Sequence, residues 1–359
     1  MSCISVSIPC INASYSIHWL DTIHDILDDL LLHYPTARIF IITDENVWQL
    51  YESTILSHSV AGRLTDTIVL EAGESTKTLD TVASIYSVLN EHFVTSSDIL
   101  VAIGGGVVSD IVGFVAGTYK RGIPYVTIPT TLLAQVDASI GGKTGVNFED
   151  YKNNIGLYNP PSAIYATEEW LETLPPREIK SGFAEMLKHA LIADIHYWDT
   201  LLDWQNLNWK EIILHSIQIK KSIVEQDMYE KNKRKLLNFG HTIGHALEIQ
   251  PSFQAQNRSH GECVAIGMLA EIYISYMKKY LSEEVFTSLT QQLQKLYPIP
   301  LPVIDKELFI KAIQQDKKNK IDTISCVFLE SIGKASIHTI THEDILGVYD
   351  YLTINTVID

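Results

Sequence analysis

Short apolar runs alternate with amphipathic stretches through the first half of this chain, and no other feature constrains the fold as strongly. Runs at residues 38–43, 66–70, 98–103 and 124–129 read as strands, with helical patterns at 47–57 and 79–90 between them. Strands joined through helices instead of tight turns form a parallel sheet covered by those helices. From about residue 167 the glycine-rich, strand-rich character gives way to long helical patterns. The expected organisation is an α/β nucleotide-binding domain over residues 1–166, followed by a mostly α-helical domain over residues 167–359.

Composition excludes some partners. Lys plus Arg number 27 against 43 Asp plus Glu, a formal charge of −16. That balance disfavours nucleic acid and anionic membrane, and any anionic ligand must be met by focused positive charge. Cys3, Cys10, Cys263 and Cys326 show neither C-x-x-C spacing nor disulfide density, so they read as reduced thiols in a cytoplasmic protein. No stretch has the pattern of a secretory signal or the length of a membrane span.

Several strand ends carry candidate chemistry. Gly104-Gly105-Gly106 follows the 98–103 strand and leads through Val107 and Asp110 into a helical pattern. Glycines at such a turn let backbone N–H groups approach a pyrophosphate, although the spacing is not G-x-G-x-x-G, so a plain tight turn stays open. Asp44 to Asn46 and Gly73 to Lys77 follow the first two strands, where open α/β sheets bind ligands; each also reads as a helix cap. Gly141-Gly142-Lys143, with Lys152 and Asn153 beyond it, looks directed at phosphate without being a Walker loop.

In the second half, a helix starting after Gly240 would place His241, His245 and Glu248 at i, i+4 and i+7 on one face, which can hold a metal. Three protein ligands and an open position make a catalytic zinc site, and Glu185 and His260 are also eligible donors; an ordinary solvated face is the alternative. Over 179–191 the apolar positions Ile179, Phe183, Met186, Leu187 and Ala190 face a core, with Glu185, Lys188 and His189 opposite, on a solvated face or a site. Lys220 and Lys221 repeat that arrangement, and 324–329 with 334–339 read as a small hairpin without assigned chemistry.

Together, Gly104-Gly-Gly-Val-Val-Ser-Asp110, Pro129-Thr-Thr-Leu-Leu-Ala-Gln-Val-Asp-Ala-Ser-Ile-Gly-Gly-Lys-Thr-Gly-Val-Asn147, Gly182-Phe-Ala-Glu185, Leu237-Asn-Phe-Gly-His-Thr-Ile-Gly-His245 and His260-Gly-Glu262 resemble the 3-dehydroquinate synthase family of sugar phosphate cyclases, in the same order from about residue 44 to 318. The resemblance implies a Rossmann-like NAD-binding domain and a helical metal- and substrate-binding domain. It makes Glu185, His241 and His260 the ligands of Zn2+ or Co2+, with His245 a nearby proton-handling or substrate-orienting group. It assigns NAD to Asp44, Asn46, Glu74, Lys77, Gly104, Gly105, Gly106, Val107, Asp110, Thr130, Thr131, Asp137, Lys143, Lys152, Thr173, Leu174 and Glu178. Lys143, Lys188, Lys220, Glu230, Arg234 and Asn238 become catalytic or substrate-holding groups. Asn153 and one of Lys317 and Lys318 contact substrate, and Arg121 reaches the phosphate site of a homodimer partner. The segment after Asn153, Asn-Ile-Gly-Leu-Tyr-Asn-Pro-Pro, departs from the usual Phe-containing run.

The implied substrate is 3-deoxy-D-arabino-heptulosonate 7-phosphate, a small sugar-acid phosphate. It becomes 3-dehydroquinate by transient NAD oxidation, phosphate elimination, re-reduction and intramolecular aldol closure. The alternatives are a metal-dependent NAD polyol dehydrogenase, a cyclase for a sugar phosphate lacking the carboxylate, and a non-catalytic NAD-binding scaffold. The basic residues favour a doubly anionic substrate.

Overall fold

A computed structural model of the chain describes residues 2–11, 13–149, 151–298, 300, 302–315 and 324–354. It separates into two compact units, one of residues 1–175 with 224–228, the other of residues 176–223 with 229–359. The break falls after Pro175, beyond the expected position at 166, because Trp170 is buried in the same core cluster as Tyr165.

The strands of the first unit are β1 (Ser2–Ile8), β2 (Ala13–Trp19), β3 (Ile39–Asp44), β4 (Leu64–Leu70), β5 (Ile99–Gly104), β6 (Tyr125–Pro129), β7 (Lys143–Phe148), β8 (Tyr151–Tyr158) and β9 (Ala163–Ala166), and its helices are α1 (Ile23–His33), α2 (Glu45–Ser57), α3 (Leu79–Glu91) and α4 (Gly106–Thr118). Seven strands form one sheet in the order β1-β2-β9-β6-β5-β3-β4. Every pairing in it is parallel except the β1–β2 hairpin at its edge.

The side-chain alternation of a strand explains the two-sided burial. Phe40, Ile42, Leu100 and Ala102 pack on one face with Val82 and Ile85 of α3 and Ile111 and Val115 of α4. Ile39, Ile41, Val101 and Ile103 pack on the other with Ile26 and Leu30 of α1 and Ile55 of α2. Lys143, read with Gly141 and Gly142 as directed at phosphate, opens an antiparallel ribbon of β7 and β8. The glycine-rich sequence masks it: Gly145 and Gly156 are paired partners, and a Cβ on Gly145 would lie 2.6 Å from the Ile155 carbonyl oxygen.

The second unit holds α5 (Pro176–Ala193), α6 (Ile195–Leu202), α7 (Trp209–Gln226, its last turn counted with the first unit), α8 (His241–Glu248), α9 (Pro251–Ala255), α10 (His260–Met277), α11 (Glu283–Leu296), α12 (Lys306–Gln315) and α13 (His342–Ile354), with a hairpin of β10 (Ile324–Ser331) and β11 (Lys334–Ile340). α10 packs against α5, α8, α11, α13 and β10. The hairpin is structural: Cys326 and Phe328 are buried in one cluster with Ile243 and Leu247 of α8 and Ile266 of α10.

Candidate active site

Three helices of the second unit bring the metal-type donors together. Glu185 lies mid-way along α5, His241 opens α8, and His260 opens α10. Two glycines permit this approach. A Cβ on Gly261 would stand 2.3 Å from the Ser181 carbonyl oxygen, and one on Gly267 would stand 1.9 Å from the Gly240 carbonyl oxygen. Any larger residue would force α10 away from α5 at the first point or from α8 at the second.

Glu185 is fully buried, with Oε1 3.5 Å from His241 Nε2 and 3.4 Å from His260 Nε2. Tetrahedral coordination with bonds of about 2.0–2.1 Å requires ligand–ligand edges of about 3.3–3.4 Å. These two edges match a divalent ion the size of zinc, and the three donor atoms all lie within 4.8 Å of one another, a set that leaves coordination positions for other ligands. The second oxygen of Glu185, Oε2, takes the Lys188 ammonium.

The two imidazoles differ electrically. Burial pulls His241 well below the usual imidazole range, against the attraction of Glu185. Burial also opposes charge on His260, but the Glu248 and Glu185 carboxylates outweigh it and push that imidazole up to about 10. His245 stands beside both, its ring 5.4 Å from that of His241 and 6.2 Å from that of His260. His245, Glu248 and His260 form a second converging group, tied by a 2.5 Å contact between His260 Nδ1 and Glu248 Oε1. So α8 does carry His241, His245 and Glu248, but it divides them: His241 meets Glu185, while Glu248 meets the far nitrogen of His260.

The polar side of α5 is not solvated. Glu185, Lys188 and His189 are all buried, and His189 Nδ1 lies 2.7 Å from Ser216 Oγ. Lys220 and Arg234 are buried as well. The 3-10 turn Lys233–Asn238, which carries Arg234, packs against α5. Asn238 Nδ2 donates to Glu230 Oε1 at 2.5 Å, and Glu230 holds a left-handed backbone with φ 57°. Such strain in a non-glycine residue gathers at functional sites. Lys317 and Lys318 lie outside the described residues.

In the first unit the nucleotide-type residues collect at the C-terminal ends of β3, β5 and β6, which are adjacent in the sheet. Asp44 ends β3 and caps α2, accepting from the Asn46 and Val47 amides at 3.0 and 3.1 Å. Burial pushes its carboxyl up, and the amide hydrogen bonds oppose that shift. Gly104 ends β5, its carbonyl accepts from Thr130 N at 3.0 Å, and Gly105 enters α4 with no side chain capping the helix. A Cβ on Gly105 would touch the Thr131 methyl at 3.1 Å, and one on Gly106 would touch Ala138, the neighbour of Asp137, at the same distance. Bare amides at a helix start, close-packed glycines and an acidic strand end fit a dinucleotide.

Lys77 is buried, its Nζ 2.5 Å from both Asp110 Oδ2 and Asn153 Oδ1. Asn153 N donates to Asn147 Oδ1 at 2.8 Å, and Asn147 Nδ2 donates to Glu74 Oε1 at 2.8 Å. Glu74, Lys77, Asp110 and Asn153 are thus one network, closed by Asn147, which had not been singled out. Thr173, followed by Leu174, is held by Tyr51 through a 2.6 Å hydroxyl–hydroxyl contact. Lys143 and Lys152 stand exposed on the β7–β8 ribbon, and Val107 lies in the first turn of α4. Glu178 belongs to the second unit. Arg121 is not gathered with the rest: it follows the far end of α4, a helix about 20 Å long, in a left-handed backbone with φ 68°.

A parallel α/β unit with a glycine turn entering a bare helix start, and a helical unit with a two-histidine, one-carboxylate cluster, define the class of enzymes that use a dinucleotide and a divalent metal. The structure resembles 2-epi-5-epi-valiolone synthase from Streptomyces hygroscopicus with NAD+ and Zn2+ bound (TM-score 0.86, 28% identity, 96% of this chain and 98% of that one). It also resembles 2-deoxy-scyllo-inosose synthase complexed with carbaglucose-6-phosphate, NAD+ and Co2+ (TM-score 0.84, 25% identity, 98% and 99% covered). Within that class the chain belongs to the 3-dehydroquinate synthase family: residues 67–181 match its N-terminal domain and residues 182–319 its C-terminal domain. The 3-dehydroquinate synthase of Enterococcus faecalis (strain ATCC 47077 / OG1RF) is 40% identical over 319 residues, covering 87% of this chain and 88% of that protein. A probable glycerol dehydrogenase from Sinorhizobium meliloti 1021 shares the fold alone, at 16% identity, TM-score 0.60 and 96% and 98% coverage.

Proposed function

We propose that this chain converts 3-deoxy-D-arabino-heptulosonate 7-phosphate to 3-dehydroquinate and phosphate, the second step of the shikimate pathway. The observation that carries the reading is the convergence of Glu185, His241 and His260 beside the buried cation Lys188. When bound, NAD supplies reversible hydride acceptance and a divalent ion supplies Lewis acidity toward substrate oxygens. Glu185, His241 and His260 hold the ion, and Lys188 keeps Glu185 Oε1 turned toward the imidazoles. Lys220 and Arg234 hold an anionic end of the substrate, Arg234 suiting a carboxylate by its planar fork. Asn238 and Glu230, already bonded to each other, orient substrate hydroxyls. An imidazole nitrogen of His245 takes the hydroxyl proton that must leave before C5 is oxidised.

Asp44, the Gly104–Gly106 amides and the Lys77–Asp110 pair bind NAD, and Lys143 and Lys152 neutralise phosphate charge. Arg121 serves the site of a second copy in a homodimer, which accounts for its place at the far end of α4. The enzyme works in the cytoplasm; among the described residues no helix is long and apolar enough to cross a membrane. A substrate panel tests the reading. Phosphate release at least about a hundredfold faster from the heptulosonate phosphate than from sedoheptulose 7-phosphate or glucose 6-phosphate is expected, since buried cations left without their carboxylate are costly. Preference for either of the other two assigns the chain to a different cyclase.

A further inference from the structure

We infer that Glu248 is a positioning residue of the metal centre, holding the His260 ring by Nδ1 so that Nε2 faces Glu185 and His241. The inference rests on the reading of Glu185, His241 and His260 as metal ligands. Two spacings separate the role of Glu248 from that of a ligand. Glu185 Oε1 lies 3.5 and 3.4 Å from the two imidazole nitrogens it faces, the edge length of a coordination tetrahedron. Glu248 Oε1 lies 2.5 Å from His260 Nδ1, too close for both atoms to bind one ion and right for a short charge-assisted hydrogen bond.

The places of the two residues point the same way. Glu248 is the last residue of α8 and His260 the first of α10. An acid at a helix C-terminus and a base at a helix N-terminus both oppose the helix dipole. Each is unfavourable alone, and their pairing compensates. The Glu248 side chain is 10% exposed, so little water competes for the bond. A carboxylate on Nδ1–H fixes the tautomer that frees Nε2 and raises the basicity of that nitrogen toward a metal, and removing such a partner weakens metal binding by 10–100-fold.

The test measures zinc dissociation constants of the full-length protein, stripped of metal, by competition with a chromophoric chelator at one pH. The variants are Glu248→Gln, Glu248→Asp and Glu185→Ala, alongside wild type. Glu248→Gln is expected to raise the constant roughly tenfold or more, with Glu248→Asp in between because it keeps the charge. The cobalt-loaded Glu248→Gln protein should keep the visible band intensity of the wild-type ligand set while its band positions shift. Matching melting temperatures of the metal-free forms show that the loss is not one of folding. A change under threefold in Glu248→Gln overturns the inference, and so does a loss as complete as in Glu185→Ala, which makes Glu248 a ligand. If wild type binds zinc no better than Glu185→Ala, the metal-centre reading itself falls, whatever Glu248 does.

Discussion

Lys188 reaches back one turn along α5 to bond Glu185 through Oε2, leaving Oε1 to the two imidazoles. Both side chains are buried, so removing the cation leaves a carboxylate in a low-dielectric interior. Lys188→Ala should destabilise the metal-free protein by ~3–5 kcal/mol. Saturating zinc should narrow the gap to wild type, because the ion supplies the missing positive charge. Chemical denaturation of both proteins, with and without zinc, measures this; an undiminished gap would show that Lys188 and the ion do not share Glu185.

The close passage of α10 over Gly240 gives a second expectation. Gly267→Ala places a methyl group on the Gly240 carbonyl, next to His241, and overpacking of this kind costs ~1–3 kcal/mol. Zinc affinity should fall with stability, since His241 and His260 are displaced relative to each other. Gly62→Ala, where nothing lies within 4 Å, is the control and should change neither. Zinc content and melting temperature of the two variants decide it.

Asp44 combines a helix cap with a proposed NAD contact, and one substitution separates the roles. Asn caps a helix as well as Asp does, so Asp44→Asn should melt within a few degrees of wild type. A charged acceptor binds more strongly than a neutral one by about 1 kcal/mol or more, so NAD affinity should fall about five- to tenfold. Because burial holds the Asp44 carboxyl above its ordinary value, wild-type NAD affinity should decline on acidification earlier than an exposed aspartate would dictate. Calorimetric titration with NAD against pH follows both effects; equal affinity in variant and wild type would remove Asp44 from the nucleotide site.

The starts of β3 and β5 are clamped by Arg38, whose Nε and Nη2 donate to the two Asp98 oxygens at 2.8 Å each, while Thr95 N adds a third bond at 2.7 Å. Burial would raise the Asp98 carboxyl, but the Arg38 and Thr95 hydrogen bonds outweigh it and hold it below the usual range. A depressed folded value means the contribution is complete above the unfolded pKa of ~3.9 and is lost as pH falls through the folded one. Asp98→Asn should therefore cost ~1–3 kcal/mol near neutral pH. The difference from wild type should shrink below about pH 4. A difference that persists into strong acid contradicts this assignment of the charge.

Much of the first unit is legible in the sequence because its central strands are buried on both faces and read as unbroken apolar runs; β3 and β5 are the clearest. The β1–β2 hairpin is not: β1, Ser-Cys-Ile-Ser-Val-Ser-Ile, lies at the sheet edge with Ser5 and Ser7 turned outward, so its pattern is half polar. That Glu185, His241 and His260 are candidate metal donors was legible through motifs, but the burial of Lys188 and His189 was not. A helical wheel shows which residues share a side, and only tertiary packing decides whether that side meets water. Glu248 was legible as a neighbour of His241 and His245 on one helix; its bond to His260, twelve residues on, required the α8–α10 crossing.

The most direct test of the account is the ratio of phosphate released to NAD present, measured with the heptulosonate phosphate and a trace of NAD, before and after chelation and again after zinc is restored. The account predicts many phosphates per NAD, no net NADH, loss of release on chelation and recovery with zinc. Accumulation of one NADH per substrate consumed, or phosphate release indifferent to chelation, would contradict it.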